Sequence, residues 1–196
     1  MNNVDNPDGQ HTPILIGKRL RLRPIRESDK ADRMGYGRDP EFRKMMGGDP
    51  RTSPPLTQAE VERWYEHWIR EPLHWVIEAE DRCIGTALLH SLDERNRRVR
   101  YAIGIFDPAM RNRGFGTEAT NLVLEYAFTT LKLHRVDLRV LSFNQRAITC
   151  YERCGFVKEG IEREGALIGG EWHSDICMSI LEQEWQGRNA VPDSLH

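Results

Sequence analysis

The sequence predicts a mixed α/β fold, a single domain built around one central sheet. Three observations predict it. At 196 residues, the length suits one domain with short tails. Runs with strand-like alternation are interleaved with runs of helical period, without internal repeats or low-complexity segments. A glycine-bearing turn, Arg111-Asn-Arg-Gly-Phe-Gly-Thr-Glu118, joins a strand-like run from Arg98 to Phe106 to a helix-like run from Glu118 to Leu131.

The elements follow in order. Met1 to Pro13 is rich in Asn, Asp, Gly and Pro and reads as a flexible tail. Leu20 and Leu22 alternate with Arg19, Arg21 and Arg23, the pattern of a half-exposed strand, and Ser28-Asp29 offers a helix N-cap. Asp49 to Pro55 carries three prolines and reads as a loop. Thr57-Gln-Ala-Glu60 fits a capping box that opens a helix to about Arg70, with Val61, Trp64, Tyr65 and Trp68 as its core-facing stripe. His74 to Glu80 and Cys83 to Leu92 form a strand pair with a turn at Asp81-Arg82, and Arg97 to Phe106 is the next strand. A loop from Asp107 to Arg113 and a helix over 117–131 follow. Val136 to Ser142 is then a strand, and Ala147 to Cys154 a short helix ended by Gly155. Phe156 to Glu164 and His173 to Leu181, joined by Gly165 to Gly170, complete the sheet. Residues after Trp185 read as frayed. The expected organisation is a tail over 1–13, one domain over 14–186 and a C-terminal tail over 187–196.

Composition excludes several classes. With 28 Lys+Arg against 30 Asp+Glu, nothing draws the whole molecule to nucleic acid or anionic membrane. The basic run Arg95-Asn-Arg-Arg-Val-Arg100 reads as a solvated hairpin turn, since no aromatics interleave it. No apolar run is long enough to span a bilayer, and Met1 to Gln10 lacks the apolar core of a signal peptide. The expectation is a cytoplasmic protein with no membrane partner. Cys83, Cys150, Cys154 and Cys177 are then expected as free thiols, and without paired ligand spacings no metal is expected.

The glycine turn holds the chemistry. Gly114 and Gly116 let the backbone turn tightly and approach a ligand, and the following helix presents unpaired N–H groups and the positive end of its dipole. This arrangement cradles a phosphate or pyrophosphate. A Walker A loop is excluded because no Gly-Lys-Ser/Thr closes the segment. A dinucleotide fingerprint fits Gly114-x-Gly116-x-x-Ala119, with Asp137 near the acidic position, but more than half the chain precedes it and too few strands follow. Arg111, Gly114 and Gly116 also match the Arg/Gln-x-x-Gly-x-Gly/Ala loop of the GNAT acyltransferases. A glycine turn with no ligand is the remaining reading. Downstream, Asn144-Gln-Arg-Ala147, Tyr151-Glu-Arg-Cys-Gly155-Phe156 and Gly160 resemble the signature that follows this loop in GNAT enzymes, in the right order and at the right separation.

The resemblance runs from about Ile14 to Trp185 and is loose over 35–75. Leu20-Arg-Leu-Arg-Pro24 with Ser28-Asp29, the run from Leu124 to Gly160, and Asp175-Ile-Cys-Met178 are similar to the RimJ/RimL-type and spermidine acetyltransferase branch. It implies a central, mixed, mostly antiparallel twisted sheet flanked by helices, acetyl-CoA as co-substrate, no metal, and a homodimer. The pyrophosphate is then expected on the backbone amides of Arg111, Asn112, Arg113, Gly114, Phe115, Gly116 and Thr117, with the Arg111 and Arg113 guanidiniums adding contacts to phosphate. Ile103, Ile105 and Phe106 are expected to pair with the pantetheine amides, with Asn144, Ala147 and Tyr151 also at the cofactor. Tyr151 is also the expected proton donor, since a phenol is mostly protonated at neutral pH.

The general base is less defined. Relatives often carry a Glu on the strand before the glycine loop, and that position falls at Arg100 or Tyr101. His90 on the adjacent strand is the replacement candidate. Glu78 and Asp175 rank below it, and a water chain is the alternative. Strand alternation puts Arg98, Arg100 and Ala102 on one face, so Arg100, with Tyr101, is the candidate acceptor contact and would suit an anionic acceptor. The stretch from Gly35 to His74 is expected to shape that pocket. The expected activity is acetyl transfer to a primary amine of a small molecule such as an amino acid, polyamine or antibiotic. A peptide N-terminus as acceptor, and a non-catalytic acyl-CoA sensor, are the alternatives.

Overall fold

The computed structural model describes residues 12–52 and 54–189. The expected N-terminal tail up to His11, Ser53 of the proline loop, and residues from 190 onward lie outside the described residues. In chain order the elements are β1 (Leu15–Ile16), β2 (Arg21–Arg23), α1 (Asp29–Gly35), α2 (Pro40–Met45), α3 (Gln58–Trp68), β3 (His74–Ala79), β4 (Arg82–Asp93) and β5 (Arg98–Ile105). A 3-10 turn (Pro108–Met110) then leads into α4 (Phe115–Glu125), which runs into a π turn (Tyr126–Thr130). The remaining elements are β6 (Arg135–Leu141), α5 (Gln145–Cys154), β7 (Val157–Ile168), β8 (Glu171–Leu181) and α6 (Glu182–Asn189).

Among the described residues the strands form one eight-stranded sheet, in the order β1-β2-β3-β4-β5-β6-β8-β7. Each neighbouring pair is antiparallel except β5 and β6, which run parallel. All of β3 is buried because both faces of the sheet are covered. Trp75, Ile77 and Ala79 point into the main core with Ala119 and Val123 of α4 and Ile148 of α5. Val76 joins Ile25, Cys83 and Phe106 on the other face, under Phe42, Trp64, Tyr65 and Trp68. The aromatic stripe of α3 is thus core-facing as its spacing predicts, and the Thr57–Glu60 capping box is present.

Several expectations are corrected. Ser28 stands at the N-cap of α1 but makes no side-chain cap bond. The neighbouring Asp29 carboxylate instead accepts from Arg26 N at 2.7 Å and forks onto the Arg23 guanidinium at 2.7 and 2.8 Å. Arg23 itself, expected on a half-exposed strand, is 3% exposed and also holds the buried Glu78. The loop placed over Gly165 to Gly170 contracts to a two-residue turn at Gly169 (φ 60) and Gly170 (φ 87). Consecutive positive φ values suit a primed hairpin turn, and Gly165 falls within a register irregularity between Glu162 and Ala166. The turn after β3 sits one residue earlier than expected, at Glu80 and Asp81, both with positive φ. Residues 186–189 continue α6 rather than fraying, and Arg188 Nη2 donates to Arg153 O at 2.7 Å.

Candidate active site

The site forms where β5 and β6 part. They pair only at Arg98–Arg135, Val99–Val136 and Arg100–Asp137; beyond these pairs β5 stays with β4 and β6 with β8. A cleft of about 520 Å³ opens there. Ile103, Gly104 and Ile105 of β5 line it, with Arg111, Asn112, Gly114, Gly116 and Thr117 of the glycine turn. Asn144, Ala147, Cys150 and Tyr151 line it from α5, and Phe42, Met45 and Met46 from α2 and its end.

The turn has the geometry of an anion cradle. Asn112 (φ 61) and Gly114 (φ 85) are left-handed, and Gly114 caps α4 with no side-chain oxygen. The first bond of the helix runs from Glu118 N to Gly114 O at 3.0 Å, so the N–H groups of Phe115, Gly116 and Thr117 have no partner within it. A Cβ on Gly116 would stand 3.5 Å from Cys150 Sγ, between α4 and α5. Open amides at a helix N-terminus beside a cleft running along a strand fit a pyrophosphate followed by a long amide-bearing arm.

Both arginines of the turn are otherwise engaged. The Arg111 guanidinium donates to Ile105 O at 3.1 Å and Phe106 O at 3.0 Å and pairs with Asp39. It clamps the end of β5 to α2 rather than presenting a free fork to phosphate. Arg113 does not line the cleft; its Nη1 lies 3.0 Å from Met110 Sδ and its guanidinium stacks over Phe115. The Phe115 side chain is buried in the core, leaving only its amide for a ligand. Phe106 also lies off the cleft. Its N–H donates to Ile84 O, its carbonyl is taken by Arg111, and its ring meets Phe42 edge-on across 5.5 Å.

Tyr151 is 6% exposed, lines the cleft and packs against Tyr101 and Phe156. Among the described residues its hydroxyl has no hydrogen-bond partner, and burial pushes its pKa up, so it stays protonated. Asn144 caps α5, accepting from Ala147 N at 3.2 Å.

The candidate bases and acceptor contacts lie elsewhere. His90 is exposed, its Nδ1 is 3.0 Å from Ser91 Oγ, and it stands opposite Arg100 where β5 and β6 are still paired. Arg100 is ion-paired to Asp137 at 3.0 Å, which neutralises the charge expected to attract an acceptor. Tyr101 is 2% exposed and meets Thr120 Oγ1 at 3.0 Å. None of the three lines the cleft. Glu78 is buried against Arg21 and Arg23. Asp175, on β8, stands opposite Leu141 of β6 and Glu162 of β7, and burial first and Glu162 second raise its pKa.

Sequence reasoning expected the stretch from Gly35 to His74 to shape the pocket but placed no helix over Pro40–Met45, and it gave Cys150 no role. Phe42, Met45 and Met46 sit in the stretch that matched loosely, and no motif marks them. Cys150 stands beside Tyr151 and four residues before Cys154, a spacing that in a helix puts both thiols on one face. Its Sγ is 3.4 Å from Thr117 Oγ1. The neighbouring Cys154 thiol first, and Thr117 with it, hold Cys150 below the usual thiol range despite burial.

The chain matches the family model of the acetyltransferase (GNAT) domain over residues 19–157 and so belongs to the GNAT acetyltransferases, a family of acyltransferases. It is 30% identical over 182 residues to a Bacillus subtilis protein named "Probable N-acetyltransferase YjcK", covering 87% of this chain and 98% of that one. It is 32% identical over 133 residues to spermidine N(1)-acetyltransferase of Vibrio cholerae, covering 66% and 76%. A solved GNAT acetyltransferase from Bacillus anthracis shares the fold at TM-score 0.76 and 20% identity, over 87% of this chain and 99% of that one. Spermidine N-acetyltransferase from Vibrio cholerae, solved with CoA and spermine, superposes at TM-score 0.72 and 27% identity, over 85% and 99%. Among the described residues no helix is long and apolar enough to cross a membrane, and no cluster of His, Cys, Asp and Glu could hold a metal ion.

Proposed function

We propose that residues 14–186 transfer an acetyl group from acetyl-CoA to a primary amine of a small molecule, by direct attack in a ternary complex. The observation that carries the reading is the Tyr151 hydroxyl, protonated and without a protein partner, lining the cleft onto which the open N-terminus of α4 also faces. The likeness to the Vibrio cholerae spermidine enzyme, solved with CoA and spermine, supports a CoA donor and a small amine acceptor.

Bound acetyl-CoA supplies the activated acetyl thioester. The amides of Phe115, Gly116 and Thr117 hold the pyrophosphate. Ile103 and Gly104 present strand backbone to the pantetheine arm, since the Ile105 and Phe106 carbonyls are occupied by Arg111. A backbone N–H on this part of β5 stabilises the oxyanion. Tyr151 Oη donates a proton to the departing sulfur. With His90 and Glu78 away from the cleft, a water chain takes the proton from the incoming amine, which must be neutral to attack.

The enzyme is proposed to act in the cytoplasm as a homodimer. Ile161, Leu167 and Trp172 support association, being 67%, 56% and 60% exposed on the hairpin at one end of the sheet. Thiol release from acetyl-CoA across a panel of amines tests the activity. Tyr151→Phe is expected to lower kcat by at least about 100-fold with little change in acetyl-CoA affinity. An unchanged kcat would remove Tyr151 from the mechanism.

A further inference from the structure

A second cavity, of about 230 Å³, adjoins the cleft; Phe42 and Met46 line both. Its polar lining is strongly cationic, with Arg33, Arg38 and Arg43 against a single acid, Asp39, which is already committed to Arg111. Arg33 donates to Gly37 O at 2.9 Å and lies over the Phe106 ring, and Arg43 donates to Asp49 O at 2.8 Å; neither has a carboxylate partner among the described residues. Arg38 pairs with Glu60 through Nη2, yet its Nε is buried with no partner. Tyr36 lines the same cavity, and its hydroxyl is likewise buried and unpartnered.

Two buried donors without acceptors, beside two guanidiniums, Arg33 and Arg43, without a carboxylate partner, describe a site missing an anion. Burial first and the charge of Arg38 second push the Arg33 pKa down, with Glu60 opposing. Burial raises the Tyr36 phenol to about 12, which keeps it a donor.

We propose that this cavity is the anion site of the acceptor. The substrate is a primary amine carrying a carboxylate or phosphate at its far end. Arg33, Arg38, Arg43 and Tyr36 hold the anion while the amino group passes Phe42 into the cleft. The inference rests on the acetyltransferase reading and narrows its acceptor class. It also separates this chain from its spermidine-acetylating relatives, because a polycation would bring like charge against the guanidiniums of Arg33 and Arg43, which lack a carboxylate partner. Gly104 fits the same path: a Cβ there would lie 2.9 Å from Phe42 Cζ, so the glycine gives Phe42 its seat over β5.

The test compares matched amines that differ only in the anion: glycine with glycinamide, phosphoethanolamine with ethanolamine, and spermidine as the polycation. Thiol release is the readout, and the Kd for acetyl-CoA is measured in parallel. The carboxylate or phosphate member should be preferred in kcat/KM by roughly 10-fold or more, the pair with the larger ratio identifying the anion. Tyr36→Phe and Arg43→Gln should each raise KM for that member by roughly 10-fold while leaving the acetyl-CoA Kd in place. Equal or better use of spermidine and the neutral amines, with acetyl-CoA bound, overturns the anion site alone. If acetyl-CoA binds and no amine turns over, calorimetry of the anionic amines on the CoA complex decides: binding weakened by Tyr36→Phe supports the site, and no binding overturns it. Loss of acetyl-CoA binding in the wild type overturns the acetyltransferase reading and the anion site with it.

Discussion

Glu41 Oε1 accepts a hydrogen bond from Arg146 Nη1 at 3.0 Å, tying α2 to the first turn of α5 across the cleft that both helices line. Glu41 is 56% exposed and Arg146 35%, so the pair is solvent-screened and adds little to stability. Arg146 nonetheless presents a cation to the cleft. Arg146→Ala is expected to change unfolding free energy by less than about 0.5 kcal/mol while weakening CoA binding several-fold. Denaturant titration and calorimetry check the two halves of that statement. A stability loss above about 2 kcal/mol would instead make the bridge the element that holds α2 in place.

Cys150 should be more reactive than Cys83. It lines the cleft beside the N-terminus of α4, and its lowered pKa gives it more thiolate at neutral pH than a typical cysteine has. Cys83, by contrast, is buried and burial pushes its pKa up to about 12. Iodoacetamide at neutral pH is therefore expected to modify Cys150 before Cys83, and saturating CoA to slow that modification. Peptide mass mapping reads both; labelling of Cys150 at the same rate with CoA present would place the thiol outside the ligand's path.

His74 should set an acid limit on stability. It is 2% exposed, stacked on Trp68 with ring centroids 4.3 Å apart, and neither ring nitrogen has a partner. Burial first and His67 second push its pKa down from 6.5 to about 3. The unfolded chain therefore binds a proton that the folded chain refuses. Stability is unaffected above the unfolded value and falls as pH drops through the window from 6.5 toward 3. The loss attributable to this residue should be on the order of 2 kcal/mol by about pH 4.5. His74→Phe keeps the stack and should flatten that part of the pH profile; parallel profiles for wild type and variant would exclude His74 as the cause.

The parts of the fold legible in the sequence are those whose determinants are local. Thr57 and Glu60 cap α3 through bonds within one turn, and Gly155 ends α5 at φ 99, where a side chain would be strained. The glycine turn was readable from Gly114 and Gly116 ahead of a helical run, whereas Asn144 and Tyr151 stood out only through the resemblance to GNAT enzymes; the fold brings all of them to one cleft. What was not readable depends on partners far along the chain. Arg23 looks like any strand arginine until Glu78, 55 residues away, and Asp29 are folded against it. Arg111 looks like a phosphate ligand until Asp39, 72 residues earlier, claims it. The same holds for the acceptor side. The anionic preference first attached to Arg100 is better proposed for Arg33 and Arg43, because Asp137 neutralises Arg100 through a tertiary pairing that strand alternation could not foresee.

The parting of β5 and β6 has a mechanical consequence. Three rungs at one end join the β1-to-β5 half of the sheet to the β6–β8–β7 half, like a zip left half open. An extended ligand arm laid along Ile103 and Gly104 would add, from outside the chain, rungs that the strands themselves omit. Donor binding would then splice two half-sheets into one. The β6–β8–β7 half would open as a unit more readily in the empty protein and lock when the cleft fills, coupling the rigidity of the scaffold to the presence of the molecule it uses.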